Sequence, residues 1–339
     1  MDKTEFPSEW IVSSSPHVHS GDSVKRIMLD VVIALLPAFA AGIIMFGLDA
    51  VRLVCVCVGS CVVVEAACRK LMGRDLAISD WSAVVTGILL AFNLPPQLPS
   101  WIAVAGSVVA IAVAKQAFGG LGYNPFNPVL AARAALLVSR PTEMTSWSIW
   151  TMPSASAGVD SVTTATPLGM MKTSLESGAG MPYAFDSQTA VDFFIGRMNG
   201  CMGEVSTLAL LAGGAYLLYR RCISWHTPVF FMGTVALFSG ILWTMDSSAN
   251  MNPLFHLLTG GVALGAIFMA TDMVTTPVTG KGKIVFGIGC GMFTMIIRKW
   301  SSLPEGVSFA ILLMNAVTPL IDRATSPGVF GHSSKKRKV

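Results

Sequence analysis

The apolar runs of this chain are too long to fold inside a soluble domain. Of its 339 residues, 53% are hydrophobic and 12% charged, whereas soluble domains carry about 25% charged residues. That much apolar surface must face lipid. Lipid admits only helices or closed barrels, because every backbone polar group has to be satisfied internally. The runs are continuous rather than alternating with period two, which selects helices. The chain therefore reads as an all-α polytopic membrane protein.

Length and apolarity place about ten transmembrane helices, at roughly residues 27–47, 51–68, 80–97, 100–117, 125–140, 204–219, 227–245, 253–271, 284–298 and 305–321. Pro and Gly interrupt several of them, notably at Asn93-Leu94-Pro95-Pro96 and at Asn124-Pro125-Phe126-Asn127-Pro128. Non-helical backbone at membrane depth survives only where protein or a cavity covers it. The breaks thus point to a cofactor or ion site.

Residues 1–26 form a polar segment with Pro7, Pro16, His17 and His19 and no signal-peptide core. Placing this segment in the cytoplasm and threading ten spans puts Lys25, Arg26, Arg69, Lys70, Arg74, Lys115, Arg220, Arg221, Lys281, Lys283 and the basic tail 323–339 on the cytoplasmic side. The outer side receives only Arg52, Arg140, Lys172, Arg197, Arg298 and Lys299. This is the positive-inside bias, and it sets both termini in the cytoplasm. The tail run KKRKV has the composition of a nucleic-acid patch. In a membrane chain it marks a cytoplasmic end, and no nucleic-acid partner is implied. The polar stretch 141–203 then lies outside, and a loop of that length is usually functional.

The segments 27–140 and 204–322 read as two five-helix repeats. VVTGILLAFNLPP (84–96) resembles HLLTGGVALGAIFMATDMVTTP (256–277), and NPFNPVLAARAALL (124–137) resembles EGVSFAILLMNAVTPLIDR (305–323). Five spans per half is an odd number, so the second repeat is inverted. Broken helices meeting near the midplane are a transporter-like architecture.

Charges inside spans are costly and often functional. Asp30 and Asp322 are interfacial candidates beside Arg26 and Arg323. Glu65 precedes Arg69 by one helical turn, a salt-bridge spacing. Glu204 and Asp272 are candidates for an ion path. Arg133 is the one basic residue placed deep in a span, ready to pair with a carboxylate or an anionic ligand. Cys57 and Cys61 share a helix face. Without a His or a paired CxxC they read as packing residues, not metal ligands. No dinucleotide or Walker motif is present.

The segment Asp160-Ser161-Val162-Thr163-Thr164-Ala165-Thr166-Pro167-Leu168 is a hydroxyl-dense stretch in the outer loop. Composition alone makes it an unstructured Ser/Thr loop. It also resembles the flavin-attachment site of the NqrB/RnfD family of Rnf and Nqr membrane redox complexes, a pattern of Asp, Ser or Thr, usually Gly, then Ala-Thr. Asp160, Thr163, Ala165 and Thr166 stand in register, while Thr164 departs from the usual Gly and is a rival acceptor. The resemblance extends along nearly the whole chain, through SSSPHVHSGDSVKRIMLDVVIALLPA, FGGLGYNPFNPVLAARAALL, EMTSW, RRCISWHTPV, GAIFMATDMVTTPVT and PEGVSFAILLMNAVTPLIDR. The short N-terminal segment is similar to the RnfD branch.

The resemblance implies a subunit of a translocase in the bacterial inner membrane, with the flavin loop on the periplasmic side. It implies electron transfer between ferredoxin and NAD coupled to Na⁺ or H⁺ movement, and FMN esterified to an exposed Thr166 hydroxyl. A second flavin, riboflavin, would lie near Asn124 and Asn127, for which helix capping is the competing role. The implied partners are Fe–S membrane subunits, a second FMN-bearing subunit and soluble NAD- and ferredoxin-side subunits. Two readings compete with this one: an ion-conducting transporter-like subunit without a redox role, and a structural scaffold for redox subunits.

Overall fold

A computed structural model describes residues 23–75, 78–148, 163–164, 166–177, 185–247, 250–301 and 305–327. Helix α1 (Val24–Phe46) starts where Ser23 Oγ accepts from Arg26 N, which meets one of the unpaired first-turn donors. It ends at Gly47, whose φ of 61° reverses the chain into α2 (Leu48–Leu71). Helix α3 (Ser82–Phe92) stops ahead of Pro95-Pro96. Helix α4 (Ser100–Phe118) contains a π-turn at Val109–Val113. Helix α5 (Pro128–Ser139) is capped by Asn127 and opens on Pro128, the position where proline's missing N–H costs nothing.

The segment between α5 and the second half contributes strands β1 (Trp147–Ser148) and β2 (Thr163–Thr164), paired antiparallel with Trp147 opposite Thr164. Helices α6 (Pro167–Glu176), α7 (Ser187–Ile195) and the single turn α8 (Met202–Val205) follow. The second half comprises α9 (Thr207–Tyr219), α10 (His226–Met245), α11 (Pro253–Leu258), α12 (Val262–Leu264) running into a π-turn at Gly265–Met269, α13 (Gly280–Trp300) and α14 (Val307–Thr325).

Among the described residues, α1, α2, α4, α10, α13 and α14 are long and apolar enough to cross a membrane, and α3, α5 and α9 are shorter apolar helices. With the broken α11–α12 segment they fall where the sequence places ten spans. The protein is a polytopic, all-helical membrane protein apart from the short β-bridge. Two expected spans are corrected. The helix expected over 80–97 ends at Phe92, and the one expected over 253–271 breaks at Thr259-Gly260-Gly261, because Gly260 and Gly261 adopt φ of 68° and 66°.

Element packing repeats between the halves. Helix α2 packs on α3 and α4 as α10 packs on α11 and α13; α1 meets α3 as α9 meets α12; α4 meets α5 as α13 meets α14. Between halves, α1 packs on α9 and α5 on α14; the second of these pairs joins the two segments that the sequence reading matched over 124–137 and 305–323. Small residues permit these contacts, as is usual where lipid removes any hydrophobic drive between helices. A Cβ on Gly213 would stand 2.1 Å from Ala34 O, and one on Gly87 would stand 2.6 Å from Val58 Cα.

The expected packing role of Cys57 and Cys61 agrees with their complete burial. Three charge assignments change. Lys115 and Arg298, expected at the cytoplasmic and outer ends of their spans, are buried, so Arg133 is not alone among basic residues inside the bundle. Asp30 pairs with Arg220 at 3.0 Å and accepts from Tyr216 at 2.8 Å, not with Arg26. Asp322 accepts from Val278 N.

Candidate functional site

Polar side chains gather at three places. The first is a cavity of about 890 Å³, open mouth included, between α1, α3, the start of α5 and the end of the α12 segment. Val31, Val85, Leu89, Leu121 and Phe268 make its walls apolar, while Ser82, Lys115, Asn124, Asn127 and Asp272 supply polar atoms. That lining suits a ligand with a flat apolar body and a polar edge. A flavin ring is such a group.

Asn124 and Asn127, singled out from the sequence, both reach this cavity, and both also serve the backbone. Asn127 Oδ1 accepts from Val129 N at 3.0 Å and Leu130 N at 3.4 Å, capping α5, and its Nδ2 donates to Met269 O. Asn124 Nδ2 donates to Phe126 O. Asp272 lies on the same wall. Its carboxylate accepts from Thr275 Oγ1 at 3.1 Å and Val274 N at 3.4 Å. Among the described residues no basic side chain forms an ion pair with it. The sequence treated Asp272 and the two asparagines as separate features, but the fold makes them neighbours.

Glu204 belongs to a second site, separate from the cavity. Arg133 donates to Asn93 Oδ1 at 2.8 Å and pairs with Glu305. Cys201 Sγ donates to Glu204 Oε1 at 3.4 Å. The ligand atoms of Cys201, Glu204 and Glu305 lie within 4.8 Å of one another. Arg133 already supplies positive charge to Glu305, and Arg298 interacts electrostatically with both glutamates. Two guanidiniums therefore balance two carboxylates without a metal ion. Gly200 makes room for Glu204, since a Cβ there would stand 2.6 Å from its Oε2. Sequence reasoning passed over Glu305 and Cys201; their signal was their place beside breaks, one before Gly306 and one before Met202-Gly203.

The third place is where α6 meets the broken α11–α12 segment. Arg298 donates to His256 O and Thr259 O, each at 2.8 Å, and to Gly260 O at 3.1 Å. It thereby neutralises the negative end of α11 at the break. Leu168 of α6 packs on the same point: a Cβ on Gly260 would stand 2.3 Å from Leu168 Cδ1 and 2.4 Å from Arg298 Nη2. Helix α6 is thus docked on the broken helix, and Lys172 anchors it by donating to Ser301 O. Thr166 caps α6, its Oγ1 accepting from Gly169 N at 3.1 Å. Contrary to the expected exposed hydroxyl, Thr166 is only 4% exposed, because capping turns it into the docked face. Thr163 lies in β2. Asp160 and Ala165 fall outside the described residues.

The model of the family described as NQR2, RnfD, RnfE matches residues 11–331. The chain is 49% identical over 328 residues, 97% of each chain, to the D subunit of the Na⁺-translocating ferredoxin:NAD⁺ oxidoreductase complex of Acetobacterium woodii. It is 45% identical to the D subunit of the proton-translocating ferredoxin:NAD⁺ oxidoreductase complex of Clostridium ljungdahlii, covering 94% of this chain and 96% of that one. It is 41% identical to the D subunit of the ion-translocating oxidoreductase complex of Stutzerimonas stutzeri, covering 94% and 95%.

Proposed function

The chain belongs to the NQR2, RnfD, RnfE family, and on that footing we propose that it is the D-type membrane subunit of an ion-translocating ferredoxin:NAD⁺ oxidoreductase, carrying electrons through an FMN esterified to Thr166. The observation that carries this reading is the position of Thr166 at the head of α6. A phosphate on its oxygen sits where a helix presents free N–H groups and the positive end of its dipole. Arg298 and Lys172 add positive charge on the docked side of α6. The flavin supplies one- and two-electron chemistry; the protein supplies position and electrostatics.

The inner cavity holds a second, non-covalent flavin such as riboflavin, with Asn124 and Asn127 at its polar edge. The chain spans a bacterial inner membrane with both termini cytoplasmic and α6 on the periplasmic side. It assembles with Fe–S, flavin and soluble NAD- and ferredoxin-binding subunits. Because Thr166 is buried once α6 docks, attachment precedes docking or requires α6 to lift.

The test is in-gel fluorescence of the denatured chain made alongside the attaching enzyme. We expect a fluorescent band that Thr166→Ala abolishes and Thr164→Ala keeps. No band in the unaltered protein, with the attaching enzyme active, favours a second reading: a transporter-like ion-conducting subunit without its own redox role. The breaks after α3 and at α11–α12 and the half-buried Asp272 support that alternative.

A further inference from the structure

Among the described residues that line the inner cavity, Lys115 is the one cation. It is only 2% exposed, and two costly pieces of backbone hold it there. On its own helix, the π-turn at Val109–Val113 closes with Ala114 N on Val109 O at 2.9 Å, directly before Lys115. Such turns concentrate at functional sites because they re-aim the side chains that follow. On the facing helix, Trp81 holds a φ of 63°, a left-handed conformation that is strained for a bulky residue. It delivers Ser82 to the head of α3.

The two features meet in one hydrogen bond. Ser82 Oγ donates to Asp80 Oδ1 at 2.8 Å and accepts from Lys115 Nζ at 2.7 Å. Lys115 also pairs with Glu65 Oε1 at 3.0 Å. Glu65 in turn accepts from Gln116 Nε2 at 2.7 Å and pairs with Arg69 at 3.5 Å. Glu65 and, through Ser82, Asp80 thus balance Lys115 and Arg69, and Lys115 is the member of the cluster that brings a positive charge to the cavity wall. A buried ion pair is a weak source of stability, so stability alone does not account for both strained segments.

The geometry points to Lys115 as the residue that compensates charge on the redox ring held in the inner cavity. This rests on the second flavin proposed above. A ring that takes up two electrons and one proton gains one negative charge, the electrons coming from the complex's own electron transfer. A fixed cation in low-dielectric surroundings stabilises that charge far more than one in water. Lys115 therefore raises the ring's reduction potential, Glu65 and Asp272 oppose it, and Ser82 sets the direction of the ammonium.

The test is spectroelectrochemical titration of the intact complex, with non-covalent flavin extracted and counted for each variant. Lys115→Gln is expected to lower that flavin's potential by a tenfold loss in preference for the reduced form, about 30 mV for a two-electron couple. Lys115→Arg restores most of it. Glu65→Gln leaves Lys115 charged and less neutralised, so it moves the potential upward. If Lys115→Gln loses its flavin, the Glu65→Gln shift decides: upward supports the assignment, and no shift overturns it. Bound flavin with unmoved potentials, or both variants moving the same way, also overturns it. Absence of non-covalent flavin from the unaltered complex instead overturns the reading on which it rests.

Discussion

Arg133, buried in α5, and Glu305, half-buried just before α14, form an ion pair that joins these two elements. Each is costly inside a membrane protein on its own, and the pairing offsets that cost only while both are present. Removing one partner leaves an uncompensated buried charge, an effect of about 3–5 kcal/mol. Arg133→Met is therefore expected to lower thermal stability in detergent strongly, and Glu305→Gln less, since its amide oxygen still accepts from Arg133. The double variant is expected to recover part of the Arg133→Met loss. Thermal unfolding of all three checks this, and strictly additive losses would show that the pair does not couple the halves.

How much of this was legible beforehand varies by residue. Helix positions were readable because lipid leaves the backbone no alternative, and Pro and Asn mark the breaks. The polytopic helical class was legible; helix lengths and ends were not, since α3 stops at Phe92 and Gly260-Gly261 break the segment over 253–271. Lys115 and Arg298 were misplaced because charge counting assigns every terminal Lys or Arg to an end of its span. Their burial depends on partners 50 and 42 residues away, Glu65 and the carbonyl of His256. The burial of Thr166 was out of reach for the same reason, as it follows from α6 docking on Gly260. Its chemical role was legible only through resemblance.

Asn127 separates two jobs that its two side-chain atoms perform. Oδ1 caps α5, and Nδ2 donates across to Met269 O at 3.4 Å. Asn127→Asp keeps a capping oxygen and loses the donor; Asn127→Ala loses both, at about 1 kcal/mol for the cap. If the residue also serves the ligand in the cavity, both variants are expected to lose non-covalent flavin, and only Asn127→Ala to lose stability. Extraction and counting of flavin, paired with thermal unfolding, checks this. An Asp variant with full flavin content would leave Asn127 a cap and nothing more.

Asp272 presents a carboxylate to the inner cavity with only Thr275 Oγ1 and Val274 N as hydrogen-bond partners among the described residues. It is half-buried, and withdrawing a carboxylate from water without a paired cation is costly; such carboxylates inside membranes mark ion or proton routes. It shares its cavity with the proposed ring, so electron uptake there changes the field it feels, and a cation bound at Asp272 is favoured when the ring carries more negative charge. Asp272→Asn removes the charge with little change of shape. In vesicles containing the intact complex, the ions taken up per electron transferred are expected to fall at least several-fold while electron transfer itself continues. The ratio is the informative quantity, because a general loss of stability lowers both fluxes together. An unchanged ratio would exclude Asp272 from the ion route and leave Glu204, in the site with Arg133 and Glu305, as the carboxylate to test next.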